Sequence, residues 1–556
     1  MNDTTPAQQE IITVGETRMG NAFGLPKDAQ IILERNVRAK MRDGLTLATN
    51  VYRPASKGKY PALLHLSPQG KDRMPADANY ERIPNTGLVR VSEWVVFEAQ
   101  DPVYWVPHGY VVVVADCRAT WDSDGDHFEH FSPQMGQDFH DLVEWAAKQE
   151  WCDGNVGSNG VSYLAITQWL GAAERPPHLK AIIPWEGLND PYREWAFHGG
   201  IPDTGFYRAY MSRAKDPKLT FVRKGSTTED LVKEQADHPL YDDFWQSKHP
   251  DLSRINVPAY ICISWSSQLH NRGGLEGYKQ IASKDKWLEI HGRKEWEYYY
   301  TRECLERQRR FMDHFLKGRD TGIMDTPRVR FEVRERFFEG RVRFADDFPI
   351  PGTDYRKLYL DPSEGALNRK PRKSDAEIRY SAVKTGNESD RAEFVVTFDK
   401  RTEVVGCMKL RLWVSADGAD DMDLHVGVKK YDRYGNEVHF LDFNHFEKGM
   451  AAIGWLRVSH RELDEEKSTP WQPWLKHERL LKLKAGEIVP VEIEILPSGT
   501  AFNNGDQLKL IIQGYDILNF FYRYRHEDTV NRGHHIIYAG GDYDSYLLVP
   551  VIPLQR

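Results

Sequence analysis

Ser162 lies in the segment GSNGVSYLAITQW (157–169), where small residues flank its hydroxyl. Gly160 precedes it by two positions and Ala165 follows by three, while Leu164 stands where a GxSxG motif has its second glycine. A serine on a tight strand-to-helix turn needs small neighbours, and the following helix aims backbone amides at a substrate oxyanion. Such a serine attacks the acyl carbon of an ester or amide. A serine at a helix start also serves as an N-cap, and the motif alone leaves both roles open.

The region that must position this serine alternates strand and helix patterns from about residue 30 to 320. Its apolar runs are PALLHLSP (61–68), YVVVVAD (110–116), GNVGSNGVS (154–162), LKAIIPW (179–185), VPAYICISW (257–265) and KWLEIHG (286–292). Continuous apolar strands separated by helices predict a mostly parallel sheet covered on both faces. Apolar residues at spacings of three and four predict one helix face packed on that sheet: Phe139, Leu142, Val143, Ala146 and Ala147.

Two changes of pattern divide the rest of the chain. Residues 190–250 are rich in Trp, Tyr and charge with weak helical periodicity, which predicts a helical cap inserted over the sheet. After about residue 325, runs such as KLRLWVSAD and QLKLIIQGYD alternate without helices, which predicts an antiparallel sandwich of jelly-roll type. We therefore expect an N-terminal extension over 1–29, a sheet-and-helix domain over 30–325 and a sandwich domain over 326–556.

Composition and charge exclude several classes of function. The net charge of −8 over 556 residues, with no block of like charges, argues against nucleic-acid binding and against a membrane anchor. Five cysteines without CxxC spacing indicate neither a disulfide framework nor a zinc motif. The polar start of the chain and the absence of a long apolar run predict a soluble, cytoplasmic protein. We expect a small-molecule partner, and self-association is compatible with the sequence.

Several separated motifs resemble the X-Pro dipeptidyl-peptidase and cocaine esterase (CocE/NonD-like) family of serine hydrolases. They are EWCDGNVGSNGVSYLAITQW, VPHGYVVVVADCRATWDSDGD, LKAIIPWEGLND, GWLRVSHRE, FNNGDQLKLII and NRGHHIIYAGGDYDSYLLVPVIP. Together they extend over about residues 33–553. The resemblance implies an α/β-hydrolase domain, whose mostly parallel sheet carries the inserted cap, followed by an all-β jelly-roll domain. It implies no cofactor, and the acidic segment DSDGDHFEH (122–130) fits neither an EF-hand nor a zinc motif, so we expect no metal.

Carried over position by position, the resemblance assigns Ser162 as the nucleophile. The backbone N–H of Tyr163 then contributes to the oxyanion hole. The family adds a tyrosine hydroxyl from an SPY or NPY motif, whereas this sequence reads SPQGK and places Gln69 there. A glutamine amide can donate a hydrogen bond to a developing oxyanion, so we expect Gln69 to serve.

The remaining triad positions depart from the family pattern. The segment SWSSQLHNRGG places Ser267 at the expected acid, and IHGRKEW places Glu295 at the expected base, with His291 four residues earlier. Three arrangements remain open: His291 is the base; His270 is the base with Glu295 as its partner; or Glu295 accepts the proton directly. We favour His270 with Glu295, because triads are defined by geometry rather than by order along the chain.

The sequence thus predicts a serine hydrolase that acts on an ester or amide bond of a small molecule through an acyl-enzyme on Ser162. Losing one triad member costs about 10⁴-fold or more in turnover. Hydrolysis is therefore expected only if other residues replace the missing base and acid. Two alternatives follow from that departure. One is an acyl-transfer or rearrangement enzyme on the same fold. The other is a catalytically inactive binding or scaffold protein.

Overall fold

A computed structural model describes residues 9–73, 86–212, 221–386, 390–443, 446–518 and 524–554. Among those residues, no helix has both the length and the apolar character that crossing a membrane requires. The predicted N-terminal extension and cap each include residues outside this description, namely 1–8 and 213–220.

Thirteen strands precede residue 320 in the described chain. They are β1 (Gln9–Thr13), β2 (Gln30–Lys40), β3 (Thr46–Pro54), β4 (Tyr60–Ser67), β5 (Val111–Asp116), β6 (His127–Phe128), β7 (Cys152–Val161), β8 (Leu179–Trp185), β9 (Phe197–His198), β10 (Ile201–Pro202), β11 (Thr227–Thr228), β12 (Ala259–Ser264) and β13 (Lys286–His291). The parallel part of the main sheet runs β5–β4–β7–β8–β12–β13. Strands β3, β2 and β1 extend it in antiparallel fashion beyond β5. Every residue of β5 and β12 is buried, as predicted for a sheet covered on both faces.

Nine α-helices are described, and they are α1 (Pro102–Trp105), α2 (Pro133–Ala147), α3 (Tyr163–Ala173), α4 (Phe206–Ser212), α5 (Leu231–Asp237), α6 (Asp243–Ser247), α7 (Asn271–Gln280), α8 (Glu295–Tyr299) and α9 (Arg302–Lys317). Helix α2 begins where the Ser132 hydroxyl accepts from the Met135 N–H. Its buried face contains Phe139, Leu142 and Val143, as the spacing predicts. Helices α2 and α3 contact each other and the sheet, while α9 contacts β7 and β8.

The segment between β8 and β12 contains the cap elements. A π-helical turn (Tyr192–Ala196) comes first, followed by the β9–β10 hairpin and helices α4, α5 and α6. Trp195 and Tyr207 are buried and their rings meet edge to face at 5.7 Å. These two aromatic residues therefore pack in the apolar core that the segment shares with the sheet and its helices.

The regular secondary structure of the rest of the described chain is almost all β-strand. The strands are β14 (Val329–Arg336), β15 (Glu339–Ala345), β16 (Asp354–Asp361), β17 (Ala366–Asn368), β18 (Ala376–Ser381), β19 (Arg391–Thr397), β20 (Thr402–Asp417), β21 (Asp423–Tyr431), β22 (Glu437–Val438), β23 (Phe440–Asp442), β24 (Phe446–Gly449), β25 (Ala452–Arg457), β26 (Val489–Phe502), β27 (Gln507–Gln513), β28 (His534–Ala539) and β29 (Tyr546–Val551). One sheet is built around β20, which pairs with β26, β28 and β29. The other places β27 between β19 and β21, with β25 beyond β21. Alternate residues of both sheets form one apolar core, which makes this half a β-sandwich.

Strand β14 connects the two halves. It pairs in parallel with β13 over Val329–Phe331 and touches β26 at Arg334 and Thr500. The sheet of the first half therefore continues past residue 325, and the domain limits drawn from the sequence stay a prediction.

Candidate active site

Ser162 occupies a tight turn between β7 and α3. Its backbone has φ 57° and ψ −113°, and Tyr163 begins the helix. The Ser162 N–H donates to the carbonyls of Trp185 and Glu186, both at 3.0 Å, at the end of the neighbouring strand β8. Within the described chain the Ser162 side chain makes no capping hydrogen bond. A non-glycine residue in such a conformation costs about 1–3 kcal/mol and persists where surrounding contacts fix it.

Two glycines make room for the side chains that follow Ser162. A Cβ on Gly160, whose φ is +146°, would lie 2.7 Å from the Leu164 side chain. A Cβ on Gly187 would lie 2.4 Å from the Ala165 side chain. The turn therefore accommodates a leucine at the second GxSxG glycine because Gly160 leaves the space that Leu164 fills.

A buried carboxyl, Glu98, lies beside the serine turn, close enough for the Ser162 hydroxyl to lower its pKa. Glu98 is 2% exposed, and its carbonyl accepts from the Val161 N–H at 3.0 Å, which holds it at the end of β7. Gln69 Nε2 donates to its Oε2 at 2.9 Å and Trp296 Nε1 donates to its Oε1 at 3.1 Å.

Burial raises the pKa of Glu98 to about 8, although hydrogen bonds from Gln69, Trp296 and the Ser162 hydroxyl oppose the shift and the Glu186 carboxylate adds to it. A carboxylate with this pKa is at least as strong a base as an imidazole.

A second pair of titratable groups, Glu186 and His291, lies beside the turn. Glu186 follows β8 with φ 47°, and His291 ends β13. His291 Nε2 is 2.9 Å from Glu186 Oε1, but the angles fall outside hydrogen-bond geometry. His291 Nδ1 accepts from the Arg293 N–H at 3.1 Å, so the neutral ring carries its proton on Nε2, facing Glu186. Both side chains are buried, and the His291 ring packs on Tyr298 with centroids 4.2 Å apart.

The acid and base candidates favoured from the sequence lie on two other elements. His270 immediately precedes α7 and is 2% exposed, and burial lowers its pKa to about 3. Among the described residues, no hydrogen bond joins the His270 ring to Ser162 or to Glu295, and His270 Nδ1 has no partner. Glu295 begins α8, the helix that also contributes Trp296 to Glu98. Ser267, at the expected acid position, is buried. The pairing of His270 with Glu295 stays a prediction.

The two predicted oxyanion donors lie close to the turn. Tyr163 is the first residue of α3, where backbone N–H groups have no partner within the helix. Its side chain is buried, with the hydroxyl 3.1 Å from His130 Nδ1. Gln69 donates from Nε2 to Glu98 and has a second amide hydrogen on the same atom. The oxyanion role of both residues stays a prediction.

Sequence reasoning missed Glu98 and Glu186. Glu98 is the one charged residue in the apolar stretch VVFEAQ, and an acid in such a context signals burial. Glu186 follows the strand run LKAIIPW at the carboxyl end of the strand next to the serine, where catalytic groups of parallel sheets collect.

Comparisons with known proteins agree with this architecture. Residues 43–294 match the family model described as X-Pro dipeptidyl-peptidase (S15 family). Residues 321–548 match the X-Pro dipeptidyl-peptidase C-terminal non-catalytic domain. The crystal structure of a CocE/NonD family hydrolase from Staphylococcus aureus is 46% identical, with a TM-score of 0.92 over 99% of this chain and 97% of that one.

More distant relatives share the same organisation. The cocaine esterase of Rhodococcus sp. (strain MB1 Bresler) is 28% identical over 397 residues, which cover 61% of this chain and 64% of that esterase. The structure of an α-amino acid ester hydrolase, 17% identical, shares the fold with a TM-score of 0.71 over 94% of this chain and 97% of that one. These similarities place the chain in a class of hydrolases. It belongs to the CocE/NonD family.

Proposed function

We propose that the protein hydrolyses an ester or amide bond of a small molecule through an acyl-enzyme on Ser162. The proposal includes an α/β-hydrolase fold for the sheet-and-helix half and a jelly roll for the sandwich. The observation that carries it is the strained turn at Ser162, beside which the buried Glu98 carboxyl is held by the hydrogen bond from the Val161 N–H to the Glu98 carbonyl. A relative named cocaine esterase and the match to a dipeptidyl-peptidase model support acyl chemistry as the reaction class.

In the proposed mechanism, Ser162 Oγ attacks the acyl carbon while its proton passes to the Glu98 carboxylate. The substrate carbonyl oxygen becomes an oxyanion, which the Tyr163 N–H stabilises. Collapse of this intermediate breaks the bond to the leaving group, which departs as an alcohol or amine with the proton from Glu98. Water then attacks the acyl carbon while Glu98 accepts the water proton. The bond between the acyl carbon and Ser162 Oγ breaks, Glu98 returns the proton to Oγ, and the carboxylic acid leaves.

Gln69 and Trp296 are positioning residues in this scheme, because each donates to a different Glu98 oxygen. These two donors favour one orientation of the Glu98 carboxyl. The His291 ring, paired with Glu186, is the competing proton acceptor. Its Nδ1 accepts from the Arg293 N–H and its Nε2 faces Glu186, so the ring has to give up one of these contacts before it can accept the serine proton.

Labelling with a fluorophosphonate probe tests the nucleophile. We expect the wild-type protein to be labelled and Ser162→Ala to remain unlabelled, with p-nitrophenyl ester hydrolysis lost in the same variant. Equal labelling of both proteins would exclude Ser162 as the nucleophile. Hydroxylamine traps the acyl-enzyme as a hydroxamate. Turnover without an added acceptor separates the two activities, because a hydrolase releases free acid steadily and a transferase stops after acylation.

A further inference from the structure

A cluster of histidine and carboxylate side chains lies in the sandwich half, on residues that play no part in the chemistry at Ser162. His425 lies on β21, while Asp516 and His526 belong to the connection between β27 and β28. One ligand atom from each of these three residues lies within 4.8 Å of the other two. Asp516 Oδ1 is 2.7 Å from His526 Nδ1 and 3.4 Å from His425 Nδ1.

The His425 ring provides the decisive observation. It is 1% exposed, and neither of its nitrogens has a hydrogen-bond partner in the described part of the chain. A buried polar atom without a hydrogen bond is costly, and among the described residues Nε2 has no partner while Nδ1 only faces Asp516 Oδ1 at 3.4 Å, so the ring indicates a partner that the protein atoms do not supply. A metal ion bound at Nδ1 is such a partner, since Nδ1 faces the Asp516 carboxylate.

The surroundings of the cluster match those of bound metal ions. A histidine that binds a metal through one ring nitrogen usually donates the N–H of the other to an acceptor, which fixes the ring. His198 Nδ1, 2.9 Å from His526 Nε2, can be that acceptor. The Asp516 carboxylate is held in the same way, because its Oδ2 accepts from the His526 N–H at 2.9 Å and leaves Oδ1 facing the two imidazoles. The carboxylates of Asp203 and Asp423 act electrostatically on His526 and add negative charge around the site.

We propose that His425, Asp516 and His526 bind a Zn²⁺ ion, with His198 as the outer-shell partner of His526. Two imidazoles and one carboxylate are a ligand set that zinc accepts in four-coordinate sites, with water in the fourth position. In a tetrahedral site, metal–ligand bonds of about 2.0–2.2 Å place neighbouring ligand atoms roughly 3.3 Å apart. This value lies between the distances from Asp516 Oδ1 to His526 Nδ1, 2.7 Å, and to His425 Nδ1, 3.4 Å. The proposal is independent of the chemistry at Ser162.

The ion would connect three parts of the molecule. His425 belongs to the sandwich, Asp516 and His526 to its long connection, and His198 to β9 of the cap. The Tyr524 hydroxyl in the same connection donates to the Glu194 carbonyl of the cap at 2.8 Å. Zinc at this position therefore has a structural role, because it ties the connection and the cap to one edge of the sandwich.

Elemental analysis and calorimetric titration with Zn²⁺ test the site on the full chain, after dialysis against a chelator and then against metal-free buffer. We expect one Zn²⁺ per chain and a higher Tm in its presence. Asp516→Asn and His425→Ala should abolish stoichiometric binding, and His198→Ala should weaken it about 10–100-fold. His460→Ala is the matched control, because His460 is a buried histidine of the same sandwich that pairs with His477 rather than with a carboxylate.

X-ray absorption at the zinc edge of the wild-type protein provides a measurement that does not depend on any variant. Two imidazoles with oxygen ligands in the first shell are expected. The proposal is overturned if the wild-type chain binds no stoichiometric Zn²⁺ at micromolar concentration, if the bound zinc lacks imidazole, or if Asp516→Asn retains full affinity.

Discussion

At the scale of single residues, the proposed mechanism makes the ionisation of the Glu98 carboxyl set the pH range in which Ser162 reacts. A carboxylate accepts the serine proton only when it is ionised, and burial raises the pKa of Glu98 to about 8. The same shift acts on folding. Because the folded pKa lies above the usual value, the stabilising contribution of protonated Glu98 is complete below the unfolded pKa of about 4.3 and is lost as pH rises through about 8. Activity and stability therefore have opposite pH dependence at this residue.

Replacing Glu98 with Gln tests the base. The amide keeps the shape of the carboxyl, and its oxygen can still accept from Trp296, while its NH2 faces Gln69, whose amide must flip to accept from it. The amide cannot accept a proton, so we expect kcat/KM for an ester to fall by about 10²–10⁴-fold. In the wild type the rate should rise with pH through about 8, and in Glu98→Gln this inflection should disappear. His291→Gln is the matched control, and we expect it to retain the inflection. Loss of the inflection in His291→Gln instead would assign the proton to the imidazole.

Replacing Glu186 with Gln tests the electrostatic contact between the two carboxyl groups. The charge of Glu186 raises the pKa of Glu98, so its removal should move the inflection of the pH–rate profile to lower pH. The measurement is the pH dependence of kcat/KM in Glu186→Gln beside the wild type. An inflection at unchanged pH would contradict a charged Glu186 beside Glu98.

At the scale of elements, the serine turn depends on space as well as on conformation. Gly160 has φ +146° and Gly154, on the same strand, has φ +91°. A Cβ on Gly160 would clash with Leu164 at 2.7 Å, whereas a Cβ on Gly154 would meet only His178, at 4.0 Å. The two positions therefore separate steric crowding from conformational strain.

Gly160→Ala should destabilise the protein more than Gly154→Ala. The positive φ should lower the free energy of unfolding of both variants by about 1–3 kcal/mol. Crowding against Leu164 should lower that of Gly160→Ala by about 1–3 kcal/mol more. Chemical denaturation gives the two free energies of unfolding. Leu164→Gly costs more by itself than the clash does, so the test is a double-mutant cycle: Gly160→Ala should destabilise the Leu164→Gly variant by less than it destabilises the wild type. Equal destabilisation by the two single variants would show that Leu164 does not crowd the turn.

Local patterns in the sequence predict the elements and Ser162, but not all of its partners. Strands β5 and β12 are continuous apolar runs, and the serine turn is recognisable from its small residues. Glu98 lies in the connection between β4 and β5, which has no periodicity, and it reaches Ser162 only through the pairing of its carbonyl with Val161. His425, Asp516 and His526 are likewise too far apart along the chain to form a metal-binding motif. Contacts of this kind depend on tertiary packing, which spacing does not encode.

At the scale of the whole molecule, Arg272 joins three parts of the fold. Its guanidinium extends from α7 of the sheet-and-helix half to Glu194 of the cap at 3.0 Å and to Glu494 of sandwich strand β26 at 3.1 Å. The same group stacks on Trp474 at 4.6 Å. Arg272 is 5% exposed and Glu194 is 2% exposed, so this ion pair is buried and weakly screened.

Replacing Arg272 with Met should destabilise the protein by about 3–5 kcal/mol, because two carboxylates lose their partner and Glu194 is left buried. Calorimetry and urea unfolding measure the loss, and Arg356→Met, which removes an exposed pair with Asp354, should stay within about 0.5 kcal/mol of wild type. Arg272→Met combined with Glu194→Gln should recover part of the stability, since the buried charge is gone. If the single variant unfolds like the wild type, the junction does not depend on this arginine, and the halves are held by the β13–β14 pairing and apolar packing.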